Sequence, residues 1–377
     1  MATRDQLSSE ADELLAALRA RGLVVKGQPG HSAVPPEADV ELVQPQAADA
    51  LARKGVIGVG FNPLRGDIVI YTNAPLTKRE KELVPQTVPS GTPIRVEASK
   101  LPTVDARPPS PFDNRPVYTL RSGRYCCGSS ISVGNSREAG TLGCLLRDPA
   151  GRLYGLTNNH VVGGCSYARS GLPIVAPGII DVAAGGADPF TLGHFARVAP
   201  MVSGDPQAID YSVNSDAALL AIADESKVSS WQGEAYDTPT QVLDIDGMAA
   251  ENLTQDKIVF EKVGRTTGHT IGILDSETRG PERVAYKLSA WHSASEGEDI
   301  QMSIAYAGVI RIKGKHGVTF SQPGDSGSLV TVRNLETRKR YAFGLIFAGV
   351  ANAHSYVLPI QPILDTFGVT LVGDLGT

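Results

Sequence analysis

From Cys126 onward the chain is a succession of short apolar runs, each ended by Gly, Pro, Asn or Asp. Runs of that length are too short for ordinary helices and suit strands closed by turns, so this part reads as a β-barrel or β-sandwich. The 40 glycines and 25 prolines among 377 residues push the same way. One hairpin is legible in detail. Residues 141–146 and the run Leu153–Thr157 flank Asp148-Pro149-Ala150-Gly151, a sequence built to turn.

The first hundred residues have a different texture. Leu7, Ala11, Leu14, Leu15 and Leu18 share one face of a helix expected over 5–21, and Gly22 stops it. A stretch bearing Pro and Gly follows at 27–36, then a short helix at 46–54. Strands are expected at 56–61 and 67–72 around a turn at Asn62-Pro63, with a charged helix at 77–83 and a strand at 92–97. Residues 1–100 thus form a small α+β domain with no catalytic motif. Residues 101–124 carry five prolines and few apolar side chains, which predicts an extended connector. Residues 125–377 form the mainly β domain, and a short closing helix is expected at 360–369.

Bulk properties exclude several function classes. A net charge of −5 leaves no basic footprint, so nucleic acid is not an expected partner. No apolar run reaches membrane-spanning length, and no apolar signal core follows Met1, so neither a membrane nor export is expected and the cytoplasm is the default compartment. Four cysteines are far fewer than a secreted disulfide scaffold carries. Cys144 and Cys165, on either side of His160, are read as reduced buried thiols. The adjacent Cys126 and Cys127 are not expected to bridge each other. His194, His269, His292 and His316 show no metal-ligand spacing, so no metal and no cofactor are expected.

Chemistry concentrates in two motifs. Leu156-Thr157-Asn158-Asn159-His160-Val161-Val162 ends an apolar strand in a histidine. Gln322-Pro323-Gly324-Asp325-Ser326-Gly327-Ser328 puts a serine in a glycine-bracketed turn. A serine hydroxyl is a poor nucleophile until an imidazole takes its proton, so this pairing points to acyl transfer. The carboxylate that orients the imidazole is assigned to Asp216, which opens the run Ala217-Ala218-Leu219-Leu220-Ala221-Ile222. Asp210 is the second choice, and Asp205, between Gly204 and Pro206, reads as a turn residue. The N–H groups of Gly324 and Ser326 are expected to form the oxyanion hole, with Asp325 turned away to anchor the loop. Gly264-Arg265-Thr266-Thr267-Gly268 lacks the lysine and spacing of a phosphate loop and is read as a tight turn.

These segments resemble the histidine, aspartate and serine motifs of trypsin/chymotrypsin-like peptidases. With 139–144, Lys262-Val263-Gly264-Arg265-Thr266-Thr267-Gly268 and Gly344-Leu345-Ile346-Phe347-Ala348-Gly349, the chain is similar to bacterial relatives of the plant NARROW LEAF 1 protein. The resemblance implies a chymotrypsin-like double β-barrel of two six-stranded barrels with the site between them, behind a small N-terminal domain. It implies a cytoplasmic serine endopeptidase acting on protein or peptide substrates, regulated by its N-terminal domain or by homo-oligomerisation. The alternative is a latent or inactive protease-fold scaffold in signalling or defence. It also implies that Phe347, Ala348 and Gly349 pair with the substrate backbone, and that Phe320 lies near the base of the specificity pocket. With no acidic residue there, an apolar or small substrate side chain is expected. His354 is read as a surface-loop histidine, the resemblance offering a place in the pocket instead. Asp325 has no cleaved apolar N-terminus to pair with, and Ser328 stands where digestive trypsins have glycine.

Overall fold

The structure is a computed structural model and describes residues 3–24, 45–100, 117–134, 136, 138–182, 188–291, 297–350 and 353–376. The expected stretch at 27–36, connector residues 101–116 and His292 lie outside these described residues.

The opening helix, Arg4–Ala20, starts where the Thr3 hydroxyl accepts the Gln6 N–H. Its apolar stripe is buried as expected: Leu7, Ala11, Leu14, Leu15 and Leu18 pack with Val59, Phe61, Ile68 and Ile70. Those four residues belong to the antiparallel strands Val56–Asn62 and Asp67–Thr72. Helix Pro45–Lys54 closes the same core, and strand Ile94–Ala98 runs parallel beside Asp67–Thr72.

These strands continue a larger sheet. Val56–Asn62 pairs antiparallel with strand Gly268–Arg279, setting Val59 opposite Arg279 and Phe61 opposite Glu277. Ion pairs stitch the seam: Arg4 to Glu277 and to Asp246, Arg279 to Asp12, and Arg95 to Asp275.

Gly268–Arg279 is also a stave of a closed barrel. In order around it stand Ile258–Gly264, Leu329–Asn334, Arg340–Val350, His354–Pro359, Ile310–Gly314 and Gly268–Arg279, which pairs back onto Ile258–Gly264. Closure leaves these six strands without a free edge at the seam. The barrel is filled by Phe260, Leu274, Ile312, Phe320, Val332 and Phe343 among others.

The second sheet has eight strands, curls, and stays open. Its order is Thr370–Val372, Cys144–Arg147, Leu153–Thr157, Ala218–Ile222, Phe190–Val198, Pro173–Ala176, Ser130–Val133 and Gly140–Thr141. The fold is therefore mainly β and of chymotrypsin-like double-barrel design, with one barrel closed and the other a curled half-barrel. The expected hairpin is present, Cys144 opposite Leu156 and Arg147 opposite Leu153. Helix Ile360–Phe367 and the last strand carry the chain back onto the half-barrel.

One element has no counterpart in the sequence reading. Strands Glu282–Trp291 and Gly297–Tyr306 form a long antiparallel hairpin between two barrel staves. Val284, Tyr286, Ile304 and Tyr306 bury one of its faces against Leu219, Leu345, Phe347 and Tyr356. Among the described residues, no helix is long and apolar enough to cross a membrane.

Two carboxylates give the fold a definite acid response. Glu261 is buried, which alone would raise its pKa; the neighbouring His269 and the hydrogen-bonded Arg340 and Arg333 outweigh this and hold it at about 2. At Glu97 burial also raises the value, and His354, Arg95 and Lys313 bring it to about 2. The unfolded chain takes up these protons near 4.5, so the stabilisation is complete above that pH and is lost as pH falls from about 4.5 towards 2. Urea midpoints measured across this window should fall with pH, and Glu261→Gln should flatten the slope.

Candidate active site

Strand register brings the first two site residues together. Ala218 lies opposite Thr157 in an antiparallel pair. Just past that end of the ladder, the chain after Thr157 and the chain before Ala218 must meet, which puts His160 beside Asp216. The Asn158 side chain donates to the Asp216 backbone carbonyl at 2.6 Å, and the His160 N–H donates to Asp216 Oδ1 at 3.0 Å. His160 Nδ1 stands 2.6 Å from Asp216 Oδ2. The aspartate side chain is fully buried and the imidazole is 9% exposed. A carboxylate only accepts, so the Nδ1 proton is fixed on the imidazole and Nε2 is left to accept.

Asp210 and Asp205 lie elsewhere. Each accepts a backbone N–H two residues ahead, from Ser212 and Gln207, and both are exposed turn residues.

The serine loop is pinned from both barrels. Gly327 N–H donates to Ile346 and Ile346 N–H to Ser328 within the closed barrel, while Thr141 N–H of the half-barrel donates to the Ser326 carbonyl. Gly327 has φ +91°, and a Cβ there would lie 2.3 Å from Thr157 Oγ1. The loop thus rests on the strand that leads to His160. Among the described residues, no hydrogen bond joins the Ser326 hydroxyl to His160, whose imidazole is held by Asp216; catalytic hydrogen bonds are often long before substrate enters.

Gly324 has φ +96°, and its Cβ position is filled by Arg265 Nη1 at 2.2 Å and Thr266 Oγ1 at 2.4 Å. Backbone conformation and lack of space both require glycine. Its carbonyl accepts from Thr141 Oγ1 at 2.9 Å. Among the described residues, no protein group accepts from the N–H of Gly324 or of Ser326, whereas those of Asp325, Gly327 and Ser328 are all engaged.

Asp325 points away from the site into a fully buried nest. Its carboxylate accepts from Thr266 N–H at 2.8 Å, Thr267 Oγ1 at 2.7 Å and Gln322 N–H at 2.9 Å, and meets Lys262 Nζ at 3.2 Å. Burial lowers the Lys262 pKa, and the carboxylate opposes that shift. Residues 264–268 form the expected turn, and with Lys262, quoted above for the resemblance, they are the clasp of the serine loop. Arg265 extends the clasp across the barrels to Asp181, both side chains almost fully buried.

The expected substrate-binding residues are placed unevenly. Phe347 and Ala348 are buried, and Phe347 packs edge-on against Tyr306 at 4.9 Å. Beyond Ile346, which bonds Gly327 and Ser328, their strand has no ladder partner on the side of Leu329–Asn334 among the described residues. Phe320 packs in the barrel interior against Gly272, with Leu274 and Ile312, so its side chain belongs to the core. His354 is no surface-loop residue: it lies on a strand, 4% exposed, with Nε2 3.1 Å from Asp275 Oδ2.

Glu97, Asp275 and His354 bring ligand atoms within 4.8 Å of one another. Lys313 already meets both carboxylates, as does Arg95, so their charge is met by protein cations. His194 and His316 are exposed, and His269 lies 3.6 Å from Glu261. The four cysteines are buried and unpaired.

No family model matches the chain. Protein NARROW LEAF 1 of Oryza sativa subsp. japonica is 26% identical over 245 residues, covering 60% of this chain and 37% of that protein; the match thus spans little more than a third of the relative's length. Among solved structures the chain is similar to Thermobifida fusca protease A (TM-score 0.38, 15% identity, 66% of this chain and 98% of that one). It is likewise similar to a Nocardiopsis protease (TM-score 0.36, 14%, 64% and 95%) and to Cellulomonas bogoriensis chymotrypsin (TM-score 0.36, 15%, 66% and 97%). The likeness is to trypsin/chymotrypsin-like serine proteases.

Removing Lys262 leaves Asp325 buried without its cation. Lys262→Met should cost about 3–5 kcal/mol in urea unfolding. The double variant Lys262→Met/Asp325→Asn should recover much of that loss. An unchanged midpoint in the single variant would mean the clasp carries no stability.

Proposed function

We propose that the chain is a serine endopeptidase that cleaves peptide bonds through an acyl-enzyme. The observation that carries this reading is the buried His160–Asp216 pair at 2.6 Å, formed where the serine loop meets the half-barrel. His160 Nε2 takes the proton of Ser326 as Oγ attacks the carbonyl carbon, then delivers it to the leaving amine. Asp216 holds the imidazole in the required tautomer and stabilises its charged form. Water, deprotonated by the same nitrogen, hydrolyses the ester.

The negative charge that grows on the carbonyl oxygen falls to the N–H groups of Gly324 and Ser326. Oriented donors that need no rearrangement stabilise such charge most effectively in a site shielded from water. The substrate backbone joins the open edge at Phe347, Ala348 and Gly349 as an added strand. Because Lys262, within the folded chain, neutralises Asp325, the serine loop reaches its working shape without a newly cut N-terminus. The N-terminal unit shares strand Gly268–Arg279 with the barrel, and that strand begins at the clasp, which supports regulation from residues 1–100.

Purified protein should react with a fluorophosphonate probe at Ser326. Labelling should fall to background in Ser326→Ala and in His160→Ala, and peptide hydrolysis by about 10⁶-fold. Undiminished labelling of folded Ser326→Ala would assign the nucleophile elsewhere. A folded wild type that never labels would favour a scaffold role.

A further inference from the structure

We propose that Tyr286, carried on the hairpin Glu282–Trp291/Gly297–Tyr306, is a positioning residue that holds Asp216 for His160, with Tyr306 orienting it in turn. The inference rests on the serine-peptidase reading of the site and names a residue outside the three motifs from which that reading was built.

The geometry fixes the direction of each bond. Tyr286 Oη lies 3.0 Å from Asp216 Oδ2, the same oxygen that faces His160 Nδ1. A buried carboxylate offers only lone pairs, so the phenol must be the donor. Its own oxygen then accepts the proton of Tyr306, whose Oη is 2.7 Å away. The result is a chain from Tyr306 through Tyr286 and Asp216 to His160. Both rings are almost fully buried, and the Tyr286 ring centroid is 5.8 Å from that of His160. Burial, reinforced by the neighbouring carboxylate, raises both phenol pKa values well above 10, so the two stay donors throughout the working range.

The need for such a residue follows from position. Asp216 is at the end of a half-barrel strand, and the hydrogen bonds from His160 N–H and Nδ1 leave one lone pair of Oδ2 unfilled. Phe347 of strand Arg340–Val350, packed on the Tyr306 ring at 4.9 Å, has no side-chain donor to offer. The hairpin supplies the missing one. The titratable groups around the carboxylate are His160, Tyr286, Tyr306 and Cys165, whose buried thiol feels the Asp216 charge.

A donor on Oδ2 draws negative charge away from the imidazole side. Without it, the carboxylate stabilises imidazolium more strongly, and the base is held less firmly in orientation. Tyr286→Phe, which keeps the ring and its packing, should therefore lower kcat about tenfold with little change in KM. It should also move the acid limb of kcat/KM to higher pH. Tyr306→Phe should do the same more weakly.

The test pairs fluorophosphonate labelling rates across pH with proton NMR of the downfield His160 Nδ1–H resonance, on full-length wild type and both variants, each checked for a cooperative melt. The resonance reads the His160–Asp216 bond whether or not the enzyme turns over. A shifted resonance in Tyr286→Phe upholds the inference even if the wild type fails to label, an outcome that would count against the peptidase reading alone. A resonance and a pH profile both unchanged in folded Tyr286→Phe would overturn it.

Discussion

The buried carboxylate of Asp325 is the constraint on which the site depends. A charge with no access to water must be met by donors within the fold, and here Lys262, Thr266, Thr267 and Gln322 all turn towards it. Those contacts fix the residue immediately before Ser326. Beside it, the N–H groups of Gly324 and Ser326 donate to no protein group among the described residues. The clasp is local to the closed barrel, two of whose staves it joins. Arg265 then ties it to Asp181 in the half-barrel, so the loop is anchored on both sides of the site.

The half-barrel contributes the other half by register. Pairing Thr157 with Ala218 commits His160 and Asp216 to one another, because both lie just beyond the same end of the ladder. Neither barrel holds all three residues of the proposed triad. The backbone bond from Thr141 to Ser326 and the close approach of Gly327 to Thr157 show how directly the two are joined. The N-terminal strands lengthen the closed barrel's sheet by pairing with Gly268–Arg279, the strand that starts at the turn gripping Asp325.

The local reading of the sequence carried far where local physics decides. Leu7, Leu14 and Leu18 at helical spacing had one way to be buried, and the 148–151 turn had one hairpin to make. It was poor where the signal is shared over distance. Residues 264–268 were legible as a turn, but nothing nearby shows that Lys262, Thr266 and Thr267 face the carboxylate of Asp325. The resemblance put Phe320 near the base of a specificity pocket, but its side chain packs in the barrel core with Leu274 and Ile312. His354 seemed a loop residue because the short segment before it hides the start of a strand. The hairpin carrying Tyr286 went unseen because it mixes charged and apolar residues.

Sequence alone determined the strand-rich class and the helical stripe of the first residues, and it singled out His160, Asp216 and Ser326 as the triad proposed here, because each rests on short-range pattern or on a side chain's own chemistry. Tertiary structure alone decided that one barrel closes and the other stays open, that Lys262 neutralises Asp325, and that two tyrosines stand behind Asp216. These are pairings between residues far apart in the chain. Only the folded backbone, which removes water and sets distances, selects one such partner over the others.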